Sequence, residues 1–159
     1  MTTVQLLGVL AEDAFWSALA ALGFAVLFNV PPRHLPACMG CAALGHALRT
    51  LVMQWGGTIE FGTLLASTTV GFVAYGLSRR RHAPSTLFAI PGVIPLIPGA
   101  FAYRAMLGLV TMVGIAPEQA TDLLAQAGVN LIRTGLMLGA IGVGIAAPAI
   151  LLQREDPVV

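Results

Sequence analysis

The sequence predicts an all-α fold: a polytopic membrane protein of five transmembrane helices, the fourth broken by prolines. Composition is the first observation. Of 159 residues, 57% are hydrophobic and 9% charged, where a soluble domain carries about 25% charged residues; mean hydropathy is +0.87. The second is five apolar stretches, at about 6–29, 35–54, 59–77, 87–114 and 121–151, each near the ~20 residues that cross a hydrocarbon core. The third is the run from Ile90 to Arg104, apolar enough for a membrane yet holding Pro91, Pro95 and Pro98 with Gly92 and Gly99. No linker or soluble segment of any size is left over, so residues 1–159 read as a single transmembrane domain.

The first span opens without the positive n-region of a secretory signal, and Glu12 and Asp13 follow where a small-residue cleavage site would stand. The N-terminus therefore reads as part of the mature protein. Span 1 ends at Asn29-Val30-Pro31-Pro32-Arg33-His34, and span 3 at Arg79-Arg80-Arg81-His82, the strongest charge run in the chain. The positive-inside rule puts both loops in the cytoplasm. Two loops separated by two spans must share a side, so the assignment is self-consistent. The N-terminus then lies outside and the C-terminal Gln153-Arg154-Glu155-Asp156 inside, with Trp55 to Thr58 and a turn at Pro117 to Gln119 on the outer face.

Helical spacing gives each later span a small or polar face. Span 2 aligns Cys38, Ala42, Gly45 and Arg49, with His46 beside Arg49. Span 3 aligns Glu60, Thr63, Ser67, Gly71 and Ala74 at steps of three and four, a stripe expected to face away from lipid. Span 4 aligns Ala100, Arg104, Gly108 and Thr111. Span 5 offers Asn130, Arg133, Thr134 and Met137, and its Gly135-x-x-x-Gly139 pattern suggests tight helix packing.

In span 4 each proline lacks an N–H and clashes with the carbonyl four residues back, which releases the carbonyls of Leu87, Pro91 and Ile94. Within a bilayer such groups need a neighbouring helix or a watery cavity, and broken helices of this kind carry the binding sites of many transporters. Arg49, Arg104 and Arg133 all fall toward the outer half. An arginine at a helix centre costs roughly 2.5–3.5 kcal/mol on insertion scales. Either the three bind a substrate carboxylate through their paired donors, or they pair with Glu12, Asp13 and Glu60 as interhelical contacts. His46 is a candidate proton carrier or a plain interhelical hydrogen-bonder.

Several classes are excluded or disfavoured. All eight basic residues are arginine and seven acids nearly balance them, so no basic patch is expected for nucleic acid or anionic lipid. Without lysine there is no phosphate loop, and the chain is not its own ATPase. Cys38-Met39-Gly40-Cys41 has the spacing of half a zinc or redox site, but lacks a second half and reads better as small packing residues. No catalytic set stands out, so an enzyme, a metal site or a cofactor is not expected.

Pro91-Gly92-Val93-Ile94-Pro95-Leu96-Ile97-Pro98-Gly99 with Tyr103 and Met106 resembles the signature of the threonine/serine exporter family, in its short five-span form. Phe28-Asn29-Val30-Pro31 and Gly45-His46-x-x-Arg49 are supporting matches, in the same order along most of the chain. The resemblance implies one half of a two-component exporter in the cell inner membrane, working with a longer membrane partner subunit. It further implies threonine, serine or a succinate-like dicarboxylate as cargo. Carried over by position, Pro91, Pro95, Pro98, Gly99, Tyr103, His46 and Arg49 are site candidates; Arg104 and Arg133 rest on the charge argument. Gly92 joins the candidate hinge. A subunit that only assembles or stabilises its partner is the alternative, and any symmetry must come from self-association or from the partner.

Overall fold

The computed structural model describes residues 3–114 and 117–152. Among the described residues six α-helices follow in order: α1 (Thr3–Leu27), α2 (Leu35–Gln54), α3 (Ile59–Arg81), α4 (Thr86–Val93), α5 (Gly99–Thr111) and α6 (Pro117–Leu152). Short 3₁₀ turns stand at Pro32–His34, Ile94–Leu96 and Met112–Gly114. Among the described residues, four helices are long and apolar enough to cross a membrane, and a fifth span results if Thr86–Leu96 and Gly99–Thr111 count as one. The expected turn at Pro117 to Gln119 is instead the start of α6, a position where a proline costs nothing because the first N–H groups of a helix have no intrahelical acceptor. The terminal Gln153 to Asp156, assigned by charge to the cytoplasm, lies outside the described residues.

Helix ends follow from local chemistry. Asn29 adopts a left-handed backbone, φ 56°, while Val30 N–H reaches Ala25 O and Asn29 N–H reaches Val26 O. These are the two bonds of a Schellman cap. Gly56, at φ 86°, ends α2 in the same way through Gly57 N–H to Val52 O and Gly56 N–H to Met53 O. At the start of α3 the Thr58 hydroxyl accepts from Phe61 N–H at 3.2 Å, an N-cap placed where the sequence turns from Gly-Gly to apolar.

The chain forms two compact units. One comprises the chain to Leu96 with α6 from Ala140 onward; the other is Ile97–Gly139. In the first, α2 packs on α1, α3 and α4. Its buried face carries Cys38, Cys41, Ala42 and Gly45. Phe88, Leu96, Val70 and Ala66 fill the space around it with no exposure. A methyl at Gly92 would fall 2.8 Å from Cys41 Cβ, and one at Gly45 2.8 Å from Val70 Cγ2, so missing side chains let α4 and α3 close on α2. The α3 stripe behaves as its spacing predicts: Thr63, Ser67 and Ala74 are fully buried, and Gly71 is buried with them. Ser67 Oγ donates to Ala140 O at 2.9 Å, and Gly71 and Gly144 meet backbone to backbone. The Gly135 and Gly139 pair expected to pack tightly has nothing within 4 Å of an added Cβ. Gly144 carries that role, because it is the glycine opposite the small stripe.

Candidate functional site

Helix α4 runs through Pro91, tightens into a 3₁₀ turn at Ile94–Leu96, and stops; α5 begins only at Gly99. Two of the carbonyls left without helical donors are met by side chains of α2. Cys38 Sγ donates to Leu87 O at 3.4 Å, the carbonyl that Pro91 releases. Arg49 Nη1 donates to Leu96 O at 3.1 Å, the last carbonyl before the interruption. Cys38 and Arg49 are eleven residues apart, three helical turns, so they share one face of α2. That face is built to satisfy the proline-rich segment, and the cysteine pair finds its use there as small buried groups.

Arg49 is the centre of a wider polar cluster. Its Nη2 lies 2.5 Å from His46 Nε2. A guanidinium only donates, so His46 accepts at Nε2 and, when neutral, carries its proton on Nδ1. Nδ1 faces Asp13 Oδ2 at 3.7 Å, beyond hydrogen-bonding distance. Thr50 Oγ1 donates to the same Asp13 oxygen at 2.5 Å. A chain of groups thus runs from Asp13 on α1, through His46 and Arg49 on α2, to the Leu96 carbonyl. Gly62 leaves room for the Arg49 stem: a methyl there would sit 3.2 Å from Arg49 Cγ. The cluster is partly open, with the His46 and Asp13 side chains 20% and 33% exposed.

The remaining candidates belong to the second unit. Arg104 lines a cleft of about 250 Å³ with Gly108, Thr111, Gln126 and Asn130. The α5 and α6 backbones close on each other there because Gly108 opposes Ala127, whose Cβ would lie 3.0 Å from an added methyl. Arg133 stacks its guanidinium over the Phe101 ring at 5.8 Å, a cation–π contact. Tyr103 is 67% exposed. Of the proline-rich residues, Pro91, Gly92 and Pro98 are buried, Pro95 is half-buried and Gly99 exposed.

Sequence reasoning missed the Leu96 carbonyl and the Thr50 hydroxyl as members of the cluster. Asp13, named there as a possible partner for arginine, also meets Thr50 and faces His46. An acid inside an apolar span is itself a signal, and Asp13 with Thr50 places α1 and α2 in register there.

Residues 13–151 match the family described as threonine/serine exporter, ThrE. An uncharacterized protein of Haemophilus influenzae is 40% identical over 150 residues, covering 94% of this chain and 50% of that protein. The chain therefore spans about half the length of this relative. No solved structure matches it.

Proposed function

The chain belongs to the threonine/serine exporter family, matched over residues 13–151, and from that membership we propose that it is a membrane subunit exporting a carboxylate-bearing metabolite: threonine, serine or a succinate-like dicarboxylate. The observation that carries this reading is the double engagement of Arg49, one end group on the Leu96 carbonyl and the other on His46. Those two bonds use two of its five donors. The others remain for a substrate carboxylate, so bound substrate and the end of the interrupted helix would share one guanidinium. Occupancy would then bear directly on the segment from Pro91 to Gly99, which serves as hinge. Within the second unit, Arg104, Tyr103 and Arg133 are the further candidates for contact with such a substrate.

A longer membrane partner subunit fits the relative's extra length, since this chain accounts for half of it. Cells that lose the chain are expected to retain threonine, serine or succinate that they otherwise release. Unchanged efflux of all three would end the exporter reading. A purely structural subunit is the second reading, favoured by the same fact that Arg49 already has partners inside the chain.

We place the protein in the cell inner membrane with the Arg33 and Arg79–Arg81 end in the cytoplasm. Arg81 Nη1 donates to Arg33 O at 2.9 Å, so both basic turns stand at one end of the first unit, which supports a common side. Cys38 and Cys41 are 0% and 1% exposed and should stay silent to an impermeant maleimide. Trp55→Cys is expected to label in intact cells, and His82→Cys only after permeabilisation. The reverse pattern would invert the topology.

A further inference from the structure

The near-balance of charges conceals a segregation that the fold imposes on the first unit. Arg33, Arg79, Arg80 and Arg81 gather at one end, tied by the Arg81 to Arg33 bond. The described acids of this unit lie toward the other, where Arg49 is the one described arginine of the unit to join them. Asp13 meets Thr50, sixteen residues of helix from His34, or about 24 Å; Glu12 is its neighbour. Glu60 opens α3, whose far end carries the arginine run.

Next along the chain from these two basic turns lies a groove of about 450 Å³, lined among others by Phe28, Asn29, Val30, Thr86, Leu87 and Ile90. Its walls are open to the surroundings, with Phe28 49% and Ile90 46% exposed. Val30 is three residues from Arg33, and Pro84, also in the wall, is three from Arg81. Three residues of chain span at most about 11 Å, so Arg33 and Arg81 each begin within that distance of the groove wall. Their contacts within the chain leave most donors unused: Arg33 Nε meets His34, Arg81 uses one end group, and Arg79 lies over the Tyr75 ring at 5.8 Å.

We propose that this groove binds one anionic phospholipid, an acyl chain along the apolar lining and the phosphate against Arg33, Arg80 and Arg81. The arginines mark where the headgroup layer begins, and guanidinium forks match phosphate oxygens. Basic pockets between membrane helices on the cytoplasmic side take such headgroups. A soluble anion leaves the apolar lining wet. A choline headgroup brings a cation that the arginines repel. Charge complementarity therefore selects an acidic lipid over either, and the site stands whether or not the chain exports anything.

The full-length chain, purified in nonionic detergent, is titrated with phosphatidylglycerol and with phosphatidylcholine, and retained lipid is counted by native mass spectrometry. Phosphatidylglycerol is expected to bind at least tenfold more tightly. Replacing Arg33, Arg80 and Arg81 together by glutamine should bring it down to the phosphatidylcholine level, at roughly fivefold per arginine. Ile90→Trp fills the groove without touching charge and should cost tenfold or more. Ile90→Gln, which removes the apolar contact at similar size, replaces it if the tryptophan variant fails to fold. Equal retention of the two lipids overturns the proposal. So does loss in the arginine variant with none at Ile90, which would mean attraction to the surface without a groove, or full competition by glycerol phosphate at equal concentration. A groove seating a second protein chain would give that same indifference of lipid retention to Ile90.

Discussion

Arg49→Ala is expected to lower efflux by about a hundredfold or more, measured per amount of chain assembled in the membrane. Two losses combine. A charge-assisted hydrogen bond to substrate contributes about 1.5–3 kcal/mol, and a buried carbonyl left unpaired costs about 1–3 kcal/mol. The Leu96 carbonyl is that second group, and it has no helical donor because α5 starts only at Gly99. Arg49→Lys separates the two contributions. An ammonium keeps the charge, but as a single point it cannot serve Leu96 O and His46 Nε2 in the planar fork geometry of the guanidinium, so recovery should be partial. If Arg49→Ala leaves efflux per assembled protein intact while reducing the amount assembled, the arginine is an internal strut and the structural-subunit reading stands. Arg104→Ala should cost less, since that side chain is exposed along its cleft and leaves no carbonyl orphaned.

The elements were legible in the sequence because helices in lipid announce themselves by length and apolarity. The face of α2 was legible too: the spacing of Cys38, Ala42, Gly45 and Arg49 is a matter of 3.6 residues per turn. What such spacing does not encode is the partner. Pro91 says that Leu87 loses a donor, but that Cys38 supplies the replacement depends on how α4 lies against α2. The same holds for Leu96, freed by the end of the 3₁₀ turn rather than by the i−4 rule that picks out Ile94. Among the glycines of α6, period alone selects Gly135 and Gly139, whereas contact selects Gly144. Net charge likewise carries no position: it sums over a first unit in which Arg33 and Arg79 to Arg81 share one end while Asp13 and Glu60 lie toward the other.

One substitution repeated at three glycines of α6 should have opposite effects. Gly→Ala removes backbone freedom from the unfolded chain and favours a helix interior by roughly 1 kcal/mol. At Gly135 and Gly139 nothing lies within 4 Å of the added methyl, so both variants are expected to unfold in detergent at or slightly above the parent temperature. At Gly144 the methyl would sit 2.6 Å from Thr68 N, and the reciprocal methyl at Gly71 would sit 2.6 Å from Gly144 O. Backbone stands on both sides, and no rotamer can give way. Helices α3 and α6 must separate, which strains the Ser67 Oγ to Ala140 O bond and opens the packing around Ile141, itself 8% exposed. Overpacking of this kind costs about 1–3 kcal/mol, and the lost hydrogen bond about 1 kcal/mol more. Set against the propensity gain, about 1–3 kcal/mol remains, and Gly144→Ala should lower the unfolding temperature by about 2–12 °C at 2–4 °C per kcal/mol. Gly71→Ala relieves nothing, and because the two sites share one contact, the double variant should lose less than the sum. An equal drop at Gly139 and Gly144 would mean that the crossing of α3 and α6 is not at Gly144.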